Sequence, residues 1–575
     1  MDKKKTKVNK NFTKLTHKGI SLIVLIVTII VIIILAAVII LTISQNNPLN
    51  SAKEAVFRED INNFETELEI YKANMKYKDE NPEELNANKE TIPGIQEVIT
   101  SMSNKYAKVL EVRNGKLVYI GKDKEGYRLA YKIGILPEDE LVDDEIMEEL
   151  QPFITEWTVE AGDSITLPLV DHSYVKYDFK VNYGDGTGEY KVTSANDCDK
   201  THVYENTGSY QVTITGKCSE FMFSKDSTSK DKITKIVQWG NVFRDSFWNG
   251  VDFLNCTNLT GTIPEPSLNT FKSLTSLTNL FKGCEKLQSE IPDKLLYNCS
   301  KVKSVANLFA YSSITGEIPE NLFAKCPNIT SFSSAFEGCT GIVGKIPEGL
   351  FMKNVNAIYF EKVFFNCTGL TGSIPRRLFI NNTKVKSFYR TFEYCCGLTG
   401  NIPEELFVNC QEVENFNGTF AYCTELTGNI PEKLFANCPE VITFERLFCK
   451  CENLTGNIPE NLFRNNTKVK SFSTTFSDCC GLTGNIPEKL FTNCQEVENF
   501  NGTFRFCTNI TGIYINLFDN NIKANSFYCT FYHCYKLGGE APELWKRDNI
   551  GDSRFCFASD YKLSNYNDIP DSWKR

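Results

Sequence analysis

The chain has 575 residues, of which 42% are hydrophobic and 23% are charged, and this ordinary globular composition excludes a wholly disordered protein. Its formal net charge is −9, and residues 1–18 hold seven lysines against one aspartate, so the rest of the chain carries about −15. Because phosphates require a basic face, a body this acidic excludes nucleic acid as the expected partner.

Three residue counts are unusual, since the chain has 22 Cys and 41 Phe but only 4 His. His17 lies in a lysine-rich leader, and no two of His172, His202 and His533 stand at metal-ligand spacing. No nucleophile–histidine motif accompanies them. The sequence therefore predicts a protein that is not an enzyme and holds no metal or cofactor. The cysteines remain to be explained by disulfides, metal sites or packing.

An uncharged stretch, residues 20–43, follows the leader. As a helix it spans about 36 Å, enough to cross a hydrocarbon core of about 30 Å, and it is longer than the apolar part of a secretory signal. Lysine-rich flanks stay in the cytoplasm. Residues 1–19 are therefore predicted to be a cytoplasmic leader, 20–43 a single transmembrane helix in the cell membrane, and the bulk of the chain extracellular.

The junction between Lys18-Gly19 and the apolar residues 20–23 resembles the leader and cleavage point of type IV prepilins. In this resemblance Gly19 and Ile20 flank the bond that a prepilin peptidase cuts. Pilins have Glu at the fifth mature position, where it supports subunit assembly, whereas this chain has Val24. An uncleaved anchor, a processed protein that stays in the membrane, and a fibre-forming pilin remain as alternatives. The last two imply other pilins or envelope proteins as partners.

Residues 44–135 are predicted to form a pilin-like stalk and a small α+β head. Apolar residues recur at helical spacing over about 49–75. Further on, Asn114-Gly115 lies between two apolar runs and favours the tight turn of a β-hairpin. Residues 136–151 follow as an acidic linker, with eight acidic side chains.

Residues 152–231 alternate between apolar runs and turn residues, which predicts a β-sandwich. A Gly-Asp-Gly turn at 184–186 and a His-x-Tyr run at 202–204 resemble PKD-type domains, in which this motif builds turns and core. Domains of that family serve as extracellular spacers. The resemblance implies structural roles for Asp185 and His202.

From residue 232 to 575 the chain repeats itself every 28 residues, once 27. An Ile-Pro dipeptide marks the register, and a period of this length indicates a solenoid, here of about twelve turns. Ile515 is assigned to the one slot that lacks proline. The prolines of the register are Pro264, Pro292, Pro319, Pro347, Pro375, Pro403, Pro431, Pro459, Pro487, Pro542 and Pro570.

The clearest copy, around Pro431, gives each repeat position a physical role. Gly428 permits a backbone turn, and Pro431 fits the first turn of a short helix, where its missing N–H costs nothing. Val441, Phe444 and Phe448 are expected to face a shared core that only stacking of turns can bury. The phenylalanine excess follows from these columns.

Two near copies, 376–430 and 460–514, lie 84 residues apart, which is three turns. They indicate duplication of a triplet of turns. Exposed positions differ most between them, as in 387–390 against 471–474. The array is therefore expected to bind through side chains on one face.

Most of the cysteines fall into two columns, eight residues before the proline and seven residues after it. Asn354, Asn382 and Asn466 replace Cys in the second column, which excludes a required pair within each turn. Buried, reduced packing ladders are expected, and disulfides between neighbouring turns remain open because stacked Cα atoms lie within range. Outside the array, Cys198 and Cys218 offer one disulfide. The ladder of the first column comprises Cys284, Cys339, Cys367, Cys395, Cys423, Cys451, Cys479 and Cys507.

The unit L-T-G-x-I-P resembles leucine-rich repeats of the plant-receptor type, and F-x-x-C-x-x-L resembles the BspA-like leucine-rich surface proteins of bacteria. That family also joins a PKD-like sandwich to such an array. The resemblance covers about 150–575 and implies an adhesive or ligand-binding role with an extracellular protein, glycan or cell-surface ligand. The alternatives are a minor pilin or structural envelope component, and a surface hydrolase, which would need a clustered acid pair or triad.

Overall fold

The computed structural model describes residues 56–62, 109–113, 116–121, 123, 126–127, 129–130, 135–136, 151–226, 228–243, 250–267 and 269–575. By their internal contacts the residues divide into two units, Met1–Leu150 and Gln151–Arg575. The predicted membrane segment 20–43 and the predicted processing site at Gly19 and Ile20 lie outside the described ranges. No helix within those ranges is long and apolar enough to cross a membrane.

The first unit contains a helix and a hairpin among its described residues. Residues 56–62 are helical, inside the stretch where helical spacing was found. Strands β1 (Leu110–Arg113) and β2 (Lys116–Tyr119) pair antiparallel, as predicted from the Asn114-Gly115 sequence between two apolar runs. The ring of Phe57 meets Tyr119 edge-on with centroids 6.4 Å apart, so the helix packs on the hairpin.

The second unit begins with antiparallel strands, and its described residues are mainly β with few helices. Strand β3 alternates buried and less buried side chains, as a strand with one core face should. The strands before the array are β3 (Phe153–Val159), β4 (Ser164–Thr166), β5 (Tyr177–Asn182), β6 (Glu189–Val192), β7 (Thr201–Val203), β8 (Gly208–Cys218), β9 (Phe221–Met222), β10 (Ile233–Gln238) and β11 (Val251–Asp252).

These strands form two antiparallel sheets and one parallel pair. Five of them lie in the order β10-β3-β8-β5-β6, and β4 pairs with β7. The segment 233–238, which the repeat period assigns to the start of the array, forms β10 and pairs with β3 at the edge of the larger sheet. Strand β9 then pairs parallel with β11 and joins the sheets to the first turn of the array. Trp239 packs on Phe253 and Phe271 at this joint, so one core continues from sheets to array.

The array stacks its copies in parallel, one repeat above the next. Single bridges link equivalent residues of successive turns, for example Ser387 to Asn415, Asn415 to Thr443 and Thr443 to Ser471. At this position Asn415 Oδ1 and Thr443 Oγ1 each accept the N–H two residues further on, at 2.8 and 3.1 Å. The recurring Ser, Thr or Asn is thus a turn residue. The short strands of the array are β12 (Gly428–Asn429), β13 (Leu454–Thr455), β14 (Gly484–Asn485), β15 (Ile510–Ile513), β16 (Gly538–Gly539) and β17 (Lys562–Leu563).

The short helix predicted after each proline is wrong for the clearest copy. After Pro431 the chain makes successive turns, in which Leu434 N–H bonds the carbonyl of Pro431 at 3.3 Å and Cys438 N–H bonds that of Phe435 at 3.1 Å. Leu434, Phe435 and Cys438 all point inward within five residues. The backbone must therefore turn more tightly here than in an α-helix. Short helical turns occur near the C-terminus, at Leu544–Lys546, Tyr566–Asp568 and Asp571–Lys574.

The slot assigned to Ile515 also needs correction. Leu517 N–H bonds the carbonyl of Tyr514 at 3.1 Å, as Leu490 N–H bonds that of Pro487 at 3.1 Å in the turn before. Tyr514 therefore occupies the proline position, and this turn is one residue shorter than its neighbours. Ile515 is exposed on the surface.

Candidate functional site on the left-handed face

The cysteines of the first column are packing residues. All eight predicted ladder thiols are buried, and each Sγ lies 2.9–3.2 Å from a phenylalanine carbonyl of the preceding turn. Burial raises the pKa of Cys339 to about 12, so this thiol stays neutral at physiological pH. A neutral thiol packs as a small apolar group with a weak donor. The ladder residues are Cys284, Cys339, Cys367, Cys395, Cys423, Cys451, Cys479 and Cys507.

The asparagines of the second column make stronger bonds than the cysteines they replace. Asn382 Nδ2 donates to the carbonyls of Phe351 at 3.3 Å and Asn354 at 2.8 Å. At the equivalent position Cys438 Sγ lies 3.8 Å from its carbonyl partner. Asn521 makes the same pair of bonds, at 3.1 and 2.8 Å, and belongs to this column. The 28-residue spacing does not identify Asn521, because the shortened turn moves it by one residue.

The predicted PKD-like residues serve the turns of the β-sheets. His202 Nε2 lies 2.6 Å from Asp185 Oδ2, and the imidazole stacks on Tyr183 with centroids 4.4 Å apart. The disulfide suggested for Cys198 and Cys218 is not formed. Cys218 is fully buried beneath the sheet, whereas Cys198 is an exposed free thiol in a surface turn.

From Asn279 onward, each turn carries a pair of residues with left-handed backbone four positions apart, separate from left-handed glycines such as Gly400. In one turn they are Arg390, with φ 53°, and Tyr394, with φ 64°, and in another Arg446 and Lys450, with φ 54° and 60°. Such angles are uncommon for bulky residues. Here they let alternate N–H groups, such as those of Arg390 and Phe392, bond the next turn at 2.9 Å. We call the side chains at these two positions, and at the residue before each, the left-handed face.

The middle cluster of the left-handed face holds a buried carboxylate between two arginines. The Glu393 side chain is 1% exposed, and it lies 3.1 Å from Nε of Arg390 and 2.9 Å from Nη2 of Arg446. Arg446 reaches across an entire turn, which carries Gly418 at the intervening left-handed position. A Cβ there would lie 3.0 Å from Glu393, so the glycine keeps open the path that the bridge uses.

Aromatic rings adjoin these charges. Tyr394 and Tyr422 stack with centroids 4.3 Å apart, and the cations of Arg446 and Lys450 lie 5.8 and 5.5 Å from the Tyr422 centroid. Such contacts attract the cation to the ring and hold it in place. The middle cluster is therefore a fixed array of rings and largely paired charges.

The C-terminal cluster of the same face has similar side chains but a different charge balance. The Arg505 guanidinium lies 5.0 and 5.8 Å from the centroids of Phe506 and Tyr532. Among the residues that the structure describes, no carboxylate is within ion-pair distance of Arg505. Phe555 meets Tyr528 and Tyr532 edge-on at 6.2 and 6.0 Å. This cluster presents an unpaired positive charge beside exposed rings.

The two near copies differ selectively on the left-handed face. Over 376–430 and 460–514, 15 of 55 aligned positions differ, and six of these fall among the eight positions that two turns contribute to the face. The neighbouring exposed charges Lys384, Lys386, Glu412 and Glu414 recur unchanged in the second copy. The six differing pairs are Tyr389 and Ser473, Arg390 and Thr474, Glu393 and Ser477, Tyr394 and Asp478, Ala421 and Arg505, and Tyr422 and Phe506.

Comparison with known proteins finds similarity mainly in the array. A family model described as "Mycoplasma protein of unknown function, DUF285" matches residues 251–349 and 386–517. Among solved structures, the chain is similar to the Arabidopsis receptor kinase HAESA LRR ectodomain in complex with an N-terminal extended IDA peptide hormone ligand. That match has 17% identity and a TM-score of 0.21, and it covers 51% of this chain and 63% of that chain. No curated protein matches the sequence.

Proposed function

We propose that this chain is a membrane-anchored bacterial cell-surface protein whose repeat array binds a protein or glycan, without catalysis. Anchoring rests on the uncharged residues 20–43 and the lysines before them. The PKD-like and BspA-like resemblances add an extracellular spacer and an adhesive role. The observation that carries the binding role is the divergence of the left-handed face between the near copies.

Divergence concentrated on one face, where six of eight positions differ, indicates selection for what that face touches. The phenylalanine, cysteine and asparagine columns are kept in both copies, so the scaffold is the same. Tyrosine and arginine, which supply the middle cluster, are enriched in the energetic centres of interfaces. Since the backbone beneath is held by bonds between turns, these side chains are fixed before a ligand arrives, which lowers the entropic cost of binding.

The test exchanges the face between copies in the full-length protein. Six residues of the first copy are changed to those of the second, which an equivalent backbone already accommodates, and circular dichroism checks that the fold is retained. We expect binding to extracellular-matrix proteins or cultured cells to fall at least tenfold. The six substitutions are Tyr389→Ser, Arg390→Thr, Glu393→Ser, Tyr394→Asp, Ala421→Arg and Tyr422→Phe.

A matched control exchanges exposed residues away from the face. It also leaves the net charge unchanged, and we expect it to bind as the parent does. Equal binding by face variant and control, or no binding by the parent to any of these surfaces, contradicts the proposal. The control substitutions are Arg376→Glu, Arg377→Asn, Ile380→Arg and Glu405→Lys.

The alternative is a minor pilin or envelope component processed by a prepilin peptidase. The junction of Lys18-Gly19 with Ile20 is the specific observation in its favour. Mass spectrometry of the N-terminus from native membranes distinguishes the two. A mature chain that begins at Ile20 supports processing, and a chain that begins near Met1 contradicts it.

A further inference from the structure

We infer that the C-terminal cluster binds a carboxylate-bearing sugar of an acidic glycan. The inference rests on the proposed binding function and deepens it by naming the ligand class. It concerns the part of the left-handed face around Arg505, where the second copy departs from the first. The residues involved are Arg505, Phe506, Tyr528, Tyr532, His533 and Phe555.

The cation of this cluster lacks the internal partner that the middle cluster has. In the middle cluster, Arg390 and Arg446 share Glu393. In the second copy Ser477 stands at the position of Glu393, so that position offers no carboxylate to Arg505. With its face against Phe506 and Tyr532, the Arg505 guanidinium leaves its N–H edge for a ligand. That planar edge matches a carboxylate, which can accept two parallel hydrogen bonds.

The rings beside Arg505 leave part of their apolar surface uncovered, although the Arg554 guanidinium lies 5.5 Å from the Tyr528 centroid. Tyr528 is 38% exposed and Phe555 is 37% exposed, although both rings are large. They come from successive turns and meet edge-to-face at 84°, so their faces do not stack on one another. A contiguous exposed aromatic patch, as distinct from a single exposed ring, indicates an interaction site.

An unsatisfied polar atom lies in the same cluster. His533 stacks on Phe506 with centroids 5.0 Å apart, and its Nδ1 is buried with no hydrogen-bond partner among the described residues. Buried polar atoms are normally paired, and a lone one therefore indicates a missing partner. A ligand hydroxyl can pair with this nitrogen only if the side chains that cover it move aside.

These features favour a sugar over an acidic peptide. A pyranose acid combines in one rigid residue an apolar C–H face for a ring, hydroxyls for His533 and a carboxylate for Arg505. An acidic peptide places its carboxylates on flexible side chains, carries no flat apolar face and must lose more entropy on binding. The exposed rings of Tyr528 and Phe555 would then contribute little.

The experiment measures equilibrium binding of the detergent-solubilised full-length protein to polygalacturonate, hyaluronate and polysialate. Each polymer is compared with its carboxyl-esterified form, which has the same backbone without the charge. We expect at least one polymer to bind, and its ester to bind at least tenfold more weakly. Arg505→Ala, which restores the residue of the first copy, should cause a similar loss.

Arg464→Ile is the matched control, because it removes one exposed arginine off the face and also restores the residue of the first copy. It should bind as the parent does. The inference is overturned if none of the acidic polymers binds, if Arg505→Ala binds normally, or if poly-L-glutamate binds as tightly with the same dependence on Arg505. If the six-residue face exchange still abolishes attachment in those cases, the proposed function stands and only the ligand class is wrong.

Discussion

The ladder thiols are expected to be unreactive in the folded protein. Only the thiolate attacks an alkylating reagent, and burial raises the pKa of Cys339 from the ordinary 9.0 to about 12. Raising the pH from about 7 to about 9 therefore produces little thiolate at this site. In a timed labelling experiment with N-ethylmaleimide, followed by peptide mass spectrometry, we expect exposed Cys198 to react first. Native labelling of Cys339 at a comparable rate contradicts the buried ladder.

The left-handed glycines are expected to matter through their backbone angle. Gly400 has φ +77°, and a Cβ there meets nothing closer than Ser373 Cβ at 3.5 Å, so Gly400→Ala isolates the conformational cost. A left-handed L-residue costs about 1–2 kcal/mol, and the free energy of unfolding should fall by that amount. Gly349→Ala serves as the control, because Gly349 has an ordinary φ and space for a Cβ. Denaturant titration measures both, and equal effects would contradict the assignment.

At the residue scale, the sequence predicts the position of a side chain correctly only where the 28-residue period is kept. The cysteine and phenylalanine columns follow from register alone, since a fixed spacing places equivalent side chains in the same environment. Asn521 and Tyr514 were misplaced because one turn is a residue shorter. The left-handed positions were missed because residues such as Arg390 and Tyr394 occupy them in place of the glycine that signals this conformation. The divergence between near copies was the one sequence signal of the face.

At the scale of elements, the joint between sheets and array carries a pH-sensitive carboxylate. Asp252 is fully buried in β11, where it accepts the N–H groups of Ser224 at 2.9 Å and Leu254 at 3.3 Å. Burial outweighs these bonds and raises its pKa from 3.8 to about 6. Since the folded state holds this proton more tightly than the unfolded state, stability is highest below pH about 4 and falls as pH rises to about 6.

The joint therefore offers a prediction that Asp252→Asn tests. The amide keeps the shape and cannot ionise, so the variant should lose a pH-dependent destabilisation of about 2–3 kcal/mol. The measurement is the free energy of unfolding at pH 4 and pH 7, in parent and variant. Between pH 4 and pH 7, the free energy of unfolding of the parent should fall by about 2–3 kcal/mol more than that of the variant. Identical pH dependence in the two proteins would show that Asp252 is already ionised without cost.

Elements were predicted best where alternation or spacing is local. The hairpin of β1 and β2 follows from Asn114-Gly115 between two apolar runs, and strand β8 lies where apolar runs alternate with turn residues. A proline followed by an acid signals a helix start, yet in the repeat around Pro431 the chain makes successive turns. Burial of Leu434, Phe435 and Cys438 on one side within one short segment overrides that local signal.

At the scale of the whole molecule, stacking makes each turn depend mainly on its two neighbours. Phe392 stacks on Phe364 and Phe420 at 5.8 Å in both directions, and the thiol and amide ladders likewise join adjacent turns. The free energy of unfolding of such an array is approximately the sum of the stability of each turn and of each interface between neighbouring turns. This local dependence explains why the period alone predicts the core, while the side chains of the face, which the stacked columns do not require, can differ from turn to turn.

The same dependence predicts that a triplet of turns can be removed. Deletion of residues 376–459 joins Pro375 to Glu460 and keeps every column in register, because the near copies are 84 residues apart. The shortened full-length chain should unfold cooperatively with an unchanged circular dichroism spectrum per residue. It should lose the middle cluster and keep the C-terminal cluster with its Arg505-dependent binding. Deletion of residues 376–417, one and a half turns, breaks the columns and should prevent folding. The nearest-neighbour description is contradicted if the protein lacking 376–459 misfolds while the protein lacking 376–417 folds. Interior turns would then depend on more than the columns they share with their neighbours.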